Sequence, residues 1–474
     1  METVFESAYR RLSPEAARLY RLLGLLPGND FTADLAAALA GGEAGPQLGT
    51  LLETHLVEEP VPGRYRLHDL VRLHAAHAAD GEPAAERDEA LRRAVAWYSR
   101  MVAAADHLIT GERFRLADQP EHGEVFTGAG EALDWLDDER GNLLALLRRA
   151  SMAGWDQLVW QSAEAMWALY AHRRHYADWL ETSRLGVLSA HRLGDRAAEA
   201  RLRNQTARAL VELSDYPAAT AELNLTTPST PATPSTPSTP ATPAASGAPS
   251  TPATPATSGA SAAPATPTTP AATSGAPDTP ATPATSGAPA TPDAQLDAST
   301  GVGLRLEAEL AESRGLLDLA QGRADAAAEW FAAALRAHEH LGDRRGAAVQ
   351  TYQRGRALDA AGRHRAAARA LEDAARLAAG DELTQAKVAI ALGPVYRRLG
   401  RTDEAGAALR RGAAVMRARR IPSLEALAWA ELSELAELAG DEEARRACLR
   451  EAIELTRASG NRAEAESLAR RLRG

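Results

Sequence analysis

Apolar and small residues recur with a helical period over the C-terminal half of the chain, and a glycine separates each recurrence from the next. Gly322, Gly362, Gly400 and Gly440 lie 40, 38 and 40 residues apart, and each is followed by an alanine-rich amphipathic stretch. This spacing is typical of helix pairs joined by tight turns, and stacked helix pairs form arrays that bind partners on a concave face. The pattern therefore predicts a recognition or regulatory protein and not an enzyme.

Small and large residues also occupy fixed positions within each unit. Gly315 precedes the turn at Gly322, and the helix after the turn carries Ala327, Phe331 and Ala334. The equivalent positions of the next two units are Gly355, Ala367, Leu371 and Ala374, then Gly393, Ala405 and Leu409. Small residues allow two helices to approach closely, and a large one fills the gap to the neighbouring pair. The pattern resembles the tetratricopeptide repeat (TPR), with helices longer than those of its usual unit.

The last unit departs from this pattern, because Ser433 and Arg445 stand where Gly and Ala are expected. A terminal pair has only one neighbour, so we expect this pair to cap the array. Two further units are predicted upstream, where turns at 174–176 and 214–216 lie 40 residues apart.

Between these units and Gly322 lies a tract of Thr, Pro, Ala, Ser and Gly, residues 226–292, whose only charged residue is Asp278. It has frequent proline and no apolar side chain larger than alanine, so it can form neither a core nor a continuous helix. We predict a disordered insert. Removing it leaves roughly one repeat between the flanking turns, which places it inside the second helix of a unit, between Leu225 and Asp293.

The N-terminal residues predict a compact unit of three helices followed by a hairpin. Ser13 and Pro14 open the first helix, Thr32 caps the second, and the third spans about 47–55. Strands at 56–59 and 64–67 follow, and a last helix begins near His68 and Asp69. This order is a winged-helix arrangement. The predicted fold is therefore mainly α: a winged-helix-like domain (1–80), a helical connector (85–158), and an α-α superhelix of TPR type (159–225 and 293–474) interrupted by the insert (226–292).

Composition and charge exclude several classes of function. A net charge of −10 opposes general binding to nucleic acids or membrane surfaces, which requires concentrated Lys and Arg. The lone Cys448 excludes an internal disulfide and a cysteine zinc site, and no run of residues resembles a signal peptide or a membrane span. Histidines at 68, 74, 77, 172 and 175 lack the further ligands of a metal site. We expect a cytoplasmic protein with no metal and no cofactor.

Several stretches resemble the winged-helix and TPR portion of bacterial NB-ARC or STAND signalling ATPases, in particular the regulators of antibiotic pathways. They are residues 7–25, 65–72, 97–98, 135–143 and 172–180. The resemblance implies that His68 is the counterpart of the MHD-motif histidine, which approaches the phosphates of bound ADP, and that Asp69 supports the helix start. The family's phosphate loop, G-x-x-x-x-G-K-[ST], is missing, since Lys387 is the only lysine and lies in no such loop. A structural capping role for His68 and Asp69 is the alternative.

The remaining candidate site is the concave face of the array, which the first helix of each pair should line. Registering the repeats places Tyr352, Gln353, Arg356, Lys387, Arg397, Glu431 and Glu434 there. This groove is mixed in charge, basic in its middle and acidic toward the C-terminal end. We predict that it binds a protein or peptide as part of a STAND-type regulator or scaffold, with an NTPase domain in trans as a further partner. A split receptor, a truncated relic and an independent adaptor all remain open.

Two other functions have weaker support in the sequence. A DNA-binding regulator would read DNA through the third helix, which contains Glu53 and no Lys or Arg. An ATPase of another type would need a phosphate-binding loop that the sequence lacks. We therefore expect no nucleic-acid partner and no membrane partner.

Overall fold

The computed structural model describes residues 2–111, 113–117, 125–226, 301–459 and 461–473, with side chains from residue 5 onward. Within these ranges the chain forms 21 helices and a single two-stranded hairpin. Apart from Thr226, the predicted insert lies outside the described residues, as do residues 293–300. The fold is mainly α, and its repeated helix pairs stack as in a TPR superhelix.

The N-terminal unit has the predicted order of elements, with one additional helix before them. Its elements are α1 (Glu2–Tyr9), α2 (Pro14–Leu23), α3 (Ala33–Ala40), α4 (Gly45–Glu53), β1 (Glu58–Val61), β2 (Arg64–Arg66) and α5 (Asp69–Ala79). Ser13 and Thr32 are the predicted caps, each accepting a backbone N–H bond of 3.2 Å. These bonds satisfy amides that have no partner inside the helix, and so they fix where α2 and α3 begin.

Two long helices, α6 (Ala84–Thr110) and α7 (Ala129–Met152), connect this unit to the array. Their buried side chains, such as Val95 and Leu136, belong to a hydrophobic cluster that runs from Leu19 to Ala209. The N-terminal unit, the connector and the first repeats therefore share one continuous core.

The array consists of consecutive helices that pair with each other and pack on the next pair. They are α8 (Asp156–Ala165), α9 (Trp167–Arg173), α10 (Tyr176–Leu193), α11 (Arg196–Glu212), α12 (Tyr216–Leu225), α13 (Gly301–Ala320), α14 (Ala324–His340), α15 (Arg344–Ala360), α16 (His364–Leu377), α17 (Glu382–Arg398), α18 (Thr402–Ala418), α19 (Pro422–Leu438), α20 (Glu442–Ala458) and α21 (Arg462–Arg473). The first helices of successive pairs also contact one another, α11 with α13, α15 with α17, and α17 with α19. The first-helix face is the side of the array on which these first helices lie next to one another.

The glycines have the two roles that their spacing predicts. At the turns, Gly322, Gly362, Gly400 and Gly440 adopt φ between +72° and +76°, a left-handed conformation that favours glycine. Inside the first helices, a Cβ on Gly355 would lie 2.6 Å from Leu371 Cγ. Equivalent close approaches pair Gly315 with Phe331 and Gly393 with Leu409. The predicted matching of small and large residues is confirmed.

The last predicted pair, α19 and α20, does not end the array, because α21 packs on α20 through Leu468. The prediction that this pair caps the array is therefore wrong. The departures from the repeat pattern have a reason: the Arg471 guanidinium lies 3.3 Å from Ser433 Oγ, and Arg445 donates to the Arg471 carbonyl at 3.0 Å. The two unusual residues hold the extra helix in place.

The structure describes the residues immediately before the predicted insert. Helix α12 ends at Leu225 after 10 residues, and Thr226 donates to the Leu223 carbonyl at 2.6 Å. The next described element, α13, is the first helix of the following pair. The predicted interruption of a second helix falls on residues that lie outside the described ranges.

Candidate functional site

A groove with a volume of ≈ 460 Å³ lies on the first-helix face of α15, α17 and α19. Helix α15 contributes Tyr352, Arg356, Asp359 and Ala360; α17 contributes Lys387, Ile390, Ala391, Pro394, Val395 and Arg398; and α19 contributes Leu424, Leu427 and Glu431. Leu371 of α16 completes the lining. The groove therefore spans three successive first helices, which is the surface on which the sequence places a partner.

The spacing of residues along α17 and α19 explains why these side chains line the groove. Lys387, Ile390 and Pro394 are separated by three and four residues, so they lie on one side of α17. Leu424 and Leu427 are likewise three residues apart on α19. Two rows of side chains therefore face each other across the groove, one with a cation and the other apolar. Leu427 is 52% exposed, so its side chain is open to a ligand.

Pro394 lies inside α17, which continues past it to Arg398, and both residues line the groove. Proline has no N–H, so this turn of the helix lacks one backbone hydrogen bond.

The acidic residues of the groove are already paired within the chain. Asp359 lies 2.5 Å from the Arg398 guanidinium and 2.8 Å from His364 Nδ1. Glu431 lies 3.3 Å from the guanidinium of Arg397. Both carboxylates are thus offset by neighbouring cations.

Two cations of the groove have no such carboxylate. The Lys387 ammonium makes no hydrogen bond or ion pair with any residue the structure describes. Arg356 lies 5.8 Å above the ring of Tyr352 and donates to the Gln353 side chain at 2.9 Å, neither of which carries a negative charge. Burial raises the pKa of Tyr352, so its hydroxyl stays neutral. The groove therefore presents unbalanced positive charge beside an apolar surface.

Four of the seven residues predicted from the sequence line this groove: Tyr352, Arg356, Lys387 and Glu431. Gln353 and Arg397 lie next to it, bonded to Arg356 and Glu431. Glu434 is not among the lining residues and forms an ion pair with Arg471 of α21. The sequence reasoning selected polar residues and missed the apolar ones, although the spacing from Lys387 to Ile390 and Pro394 could have indicated them.

A different part of the first-helix face is occupied by the chain itself. Residues 113–117 run across α8 and α11, and the Glu164 carboxylate accepts the amides of Leu116 at 3.0 Å and Ala117 at 2.9 Å. Arg201 donates to Glu164 at 3.2 Å and to the Phe114 carbonyl at 3.0 Å, and its burial lowers the pKa of the guanidinium to about 10. This part of the face is covered by the chain itself, unlike the groove on α15, α17 and α19.

The N-terminal unit shows less sign of a site. His68 is the exposed N-cap of α5, and its side chain makes no capping hydrogen bond. His68 therefore lies at the helix start as predicted and caps it through its carbonyl, which accepts from the Arg72 amide at 2.8 Å, and not through its ring. Asp69 is also exposed and pairs with Arg72 at 3.3 Å.

Both arginines of the hairpin are engaged within the chain. Arg64 pairs with Asp30 at 2.5 Å and with the buried Glu139, and Arg66 pairs with Glu58 at 3.0 Å. Asn142 joins the first of these networks through a bond of 2.9 Å to Asp30. These contacts tie the hairpin to α7.

The described ranges hold neither a metal-binding cluster nor a membrane-spanning helix. No three His, Cys, Asp or Glu side chains there are arranged to hold a metal ion. No helix in that part of the chain has both the length and the apolar composition needed to cross a bilayer.

Comparison with known proteins identifies relatives for part of the chain. It is 39% identical over 180 residues to the regulatory protein AfsR of Streptomyces coelicolor, and 39% identical over 167 residues to AfsR of Streptomyces griseus. About a third of this chain is homologous to AfsR. These matches cover 35% and 33% of this chain but only 18% and 17% of the two relatives. The chain thus matches less than a fifth of the length of either. No family model matches it.

Two solved structures are similar only at a remote level. One is a STAND protein with a tetratricopeptide repeat sensor from Pyrococcus horikoshii, at 11% identity and a TM-score of 0.41, covering 100% of this chain and 64% of that one. The other is BtubC from P. vanneervenii, at 14% identity and a TM-score of 0.40, covering 60% of this chain and 92% of that one. At TM-scores below 0.5, neither similarity bears on function.

Proposed function

We propose that this chain is a non-enzymatic, partner-binding module of a STAND-type regulator, and that it binds a protein segment in the groove of α15, α17 and α19. The observation that carries the proposal is the groove itself, an open apolar surface with two unbalanced cations on three successive first helices of the array. Homology to a protein named as regulatory supports the role. A cytoplasmic location is part of the same proposal.

The proposal extends to the N-terminal unit, which we interpret as a winged helix acting beside a nucleotide-binding domain supplied in trans. The exposed ring of His68 is open to such a domain, and the present sequence has no phosphate loop of its own. Nothing in the described contacts of His68 requires it for the stability of α5.

DNA binding through the N-terminal unit has weaker support. Helix α4 buries Leu48 and Leu51 and carries no basic side chain. Arg64 and Arg66, the two arginines of the hairpin, are committed to carboxylates of the chain. A phosphate backbone would have to compete with these ion pairs.

The test is a selection of displayed random peptides on the chain, followed by affinity measurements on two variants. Leu427→Arg places a bulky charge in the groove. Leu438→Arg is the matched control, because Leu438 is 64% exposed on the same helix and is not a lining residue. We expect selected peptides to lose at least about tenfold in affinity with the first variant and less than about twofold with the second, where tenfold corresponds to about 1.4 kcal/mol. Peptides that bind both variants as tightly as the native chain would refute the proposal.

A further inference from the structure

We propose that the segment bound in the groove is acidic and apolar: an Asp or Glu carboxylate bonded to Lys387, flanked by apolar side chains that pack against Leu424 and Leu427. This inference rests on the proposed function, because it names the chemistry of the partner at the same groove.

Charge balance within the groove supports an acidic ligand. Its lining has three cations, Arg356, Lys387 and Arg398, and two carboxylates, Asp359 and Glu431. Each carboxylate already has a cation at 3.3 Å or closer. A basic ligand would have to displace one of these ion pairs, whereas an acidic ligand meets Lys387 without displacing anything. Complementary charge therefore favours the acidic ligand in both affinity and rate of association.

The position of Lys387 makes it the stronger anchor. It lies on α17, between α15 and α19, and it is only partly exposed. A partly buried cation is screened less by salt than an exposed one and gains more from a single carboxylate. Lys387 is also the only lysine of the chain, so an amine-directed label would report on this position and on the N-terminus alone.

The apolar requirement comes from the opposite wall. Leu427 and the half-buried Leu424 form an open apolar surface that faces the Lys387 row. Covering such side chains yields about 25 cal/mol for each Å² removed from water, which a purely acidic segment would not gain. Together these features fit a peptide in which a carboxylate is adjacent to bulky apolar residues.

The chain's own insert does not fit this description. Residues 226–292 contain a single carboxylate, Asp278, and no apolar side chain larger than alanine. A second copy of the chain is the other occupant to test, since its net charge is −10. We commit to a separate protein segment and make self-association an outcome of the experiment.

The experiment uses the peptides selected on the full chain and compares three further variants. Lys387→Glu reverses the proposed anchor, Lys387→Arg retains its charge, and Arg450→Glu reverses an exposed charge on α20, away from the groove. We expect groove-dependent peptides to be enriched in Asp or Glu next to Leu, Ile or Phe. Their affinity should fall at least about tenfold with Lys387→Glu, a change of about 1.4 kcal/mol, and change little with the other two variants. Circular dichroism checks that all variants fold.

The outcomes separate this inference from the proposed function. One outcome would overturn the inference and leave the proposed function standing. In it, peptides lose binding with Leu427→Arg, but they show no acidic enrichment and bind Lys387→Glu as tightly as the native chain. Peptides insensitive to Leu427→Arg would overturn both. Sedimentation of the native chain tests whether a second copy occupies the groove. A dimer that dissociates in the Lys387→Glu variant would assign the groove to a second copy and would also overturn the inference.

Discussion

Replacing Gly355 with alanine should reveal how strongly the array depends on close helix approach. A Cβ at this position would lie 2.6 Å from Leu371 Cγ and 2.7 Å from Leu371 Cδ2. Leu371 is fully buried, so it cannot move into solvent to relieve this contact. Overpacking of this kind costs about 1–3 kcal/mol, while the change from glycine to alanine in a helix returns about 1 kcal/mol. We expect Gly355→Ala to lower the free energy of unfolding by about 0–2 kcal/mol, the difference between the two, with a midpoint of about 1 kcal/mol.

A matched control separates the effect of the contact with Leu371 from the higher helix propensity of alanine. Gly141 lies inside α7 with no atom within 4 Å of a Cβ built on it, so Gly141→Ala should raise the free energy of unfolding by about 0.5–1 kcal/mol. Urea unfolding followed by far-UV circular dichroism measures both. The decisive comparison uses a Leu371→Ala background, which alone costs about 2–5 kcal/mol and removes the clashing atoms. There Gly355→Ala should become stabilising. Equal effects of Gly355→Ala and Gly141→Ala, or no change of sign in the Leu371→Ala background, would refute the reasoning.

Two further predictions concern the turns and the helix caps. Gly362 has φ +75° with no atom near a built Cβ, so Gly362→Ala should cost about 1 kcal/mol of conformational energy in urea unfolding. Ser214 has φ 61° at the equivalent turn, so Ser214→Gly should raise the free energy of unfolding by a similar amount. If both substitutions changed the free energy of unfolding in the same direction, this account would be contradicted. Asp381 caps α17, and bonds from the Thr384 hydroxyl and amide lower the pKa of its carboxyl. A folded pKa below the unfolded value gives stability that is present at neutral pH and lost as the pH falls through the acidic range. Asp381→Asn should therefore flatten the decline of the melting temperature below about pH 5, and an unchanged pH profile would count against it.

Much of the array could be predicted from the sequence because its rules are local. The glycines that make the turns and the partners Gly355 and Leu371 repeat at fixed spacing, and each helix pair contacts mainly its neighbours. The caps Ser13 and Thr32 act on amides three residues away. Such short-range interactions leave a pattern that can be recognised in a single sequence.

What the sequence did not reveal depends on residues far apart. The segment 113–117 has no helical or strand periodicity, and its partners Glu164 and Arg201 lie tens of residues away. The pairing of Glu434 with Arg471 could not be foreseen without α21, which follows the last recognised repeat. In the groove, the charges of Glu431 and Arg397 look available in the sequence, but in the structure each neutralises the other. A list of charged residues cannot show which of them remain unbalanced.

The contacts between α11 and α13 join residues on either side of the long Thr- and Pro-rich tract. Arg201 pairs with Glu309, and Arg208 pairs with Glu312 at 2.7 Å, while Leu306 and Leu310 share a buried cluster with Ala200 and Ala207. Closing a connection of this length costs only about 2–3 kcal/mol more than closing a short turn. The length of the tract is therefore only a modest cost against the contacts that hold these helices together. A polypeptide cleaved between 227 and 300 should yield two fragments with complementary surfaces, and the tract is a natural place at which to divide the protein into halves that reassemble.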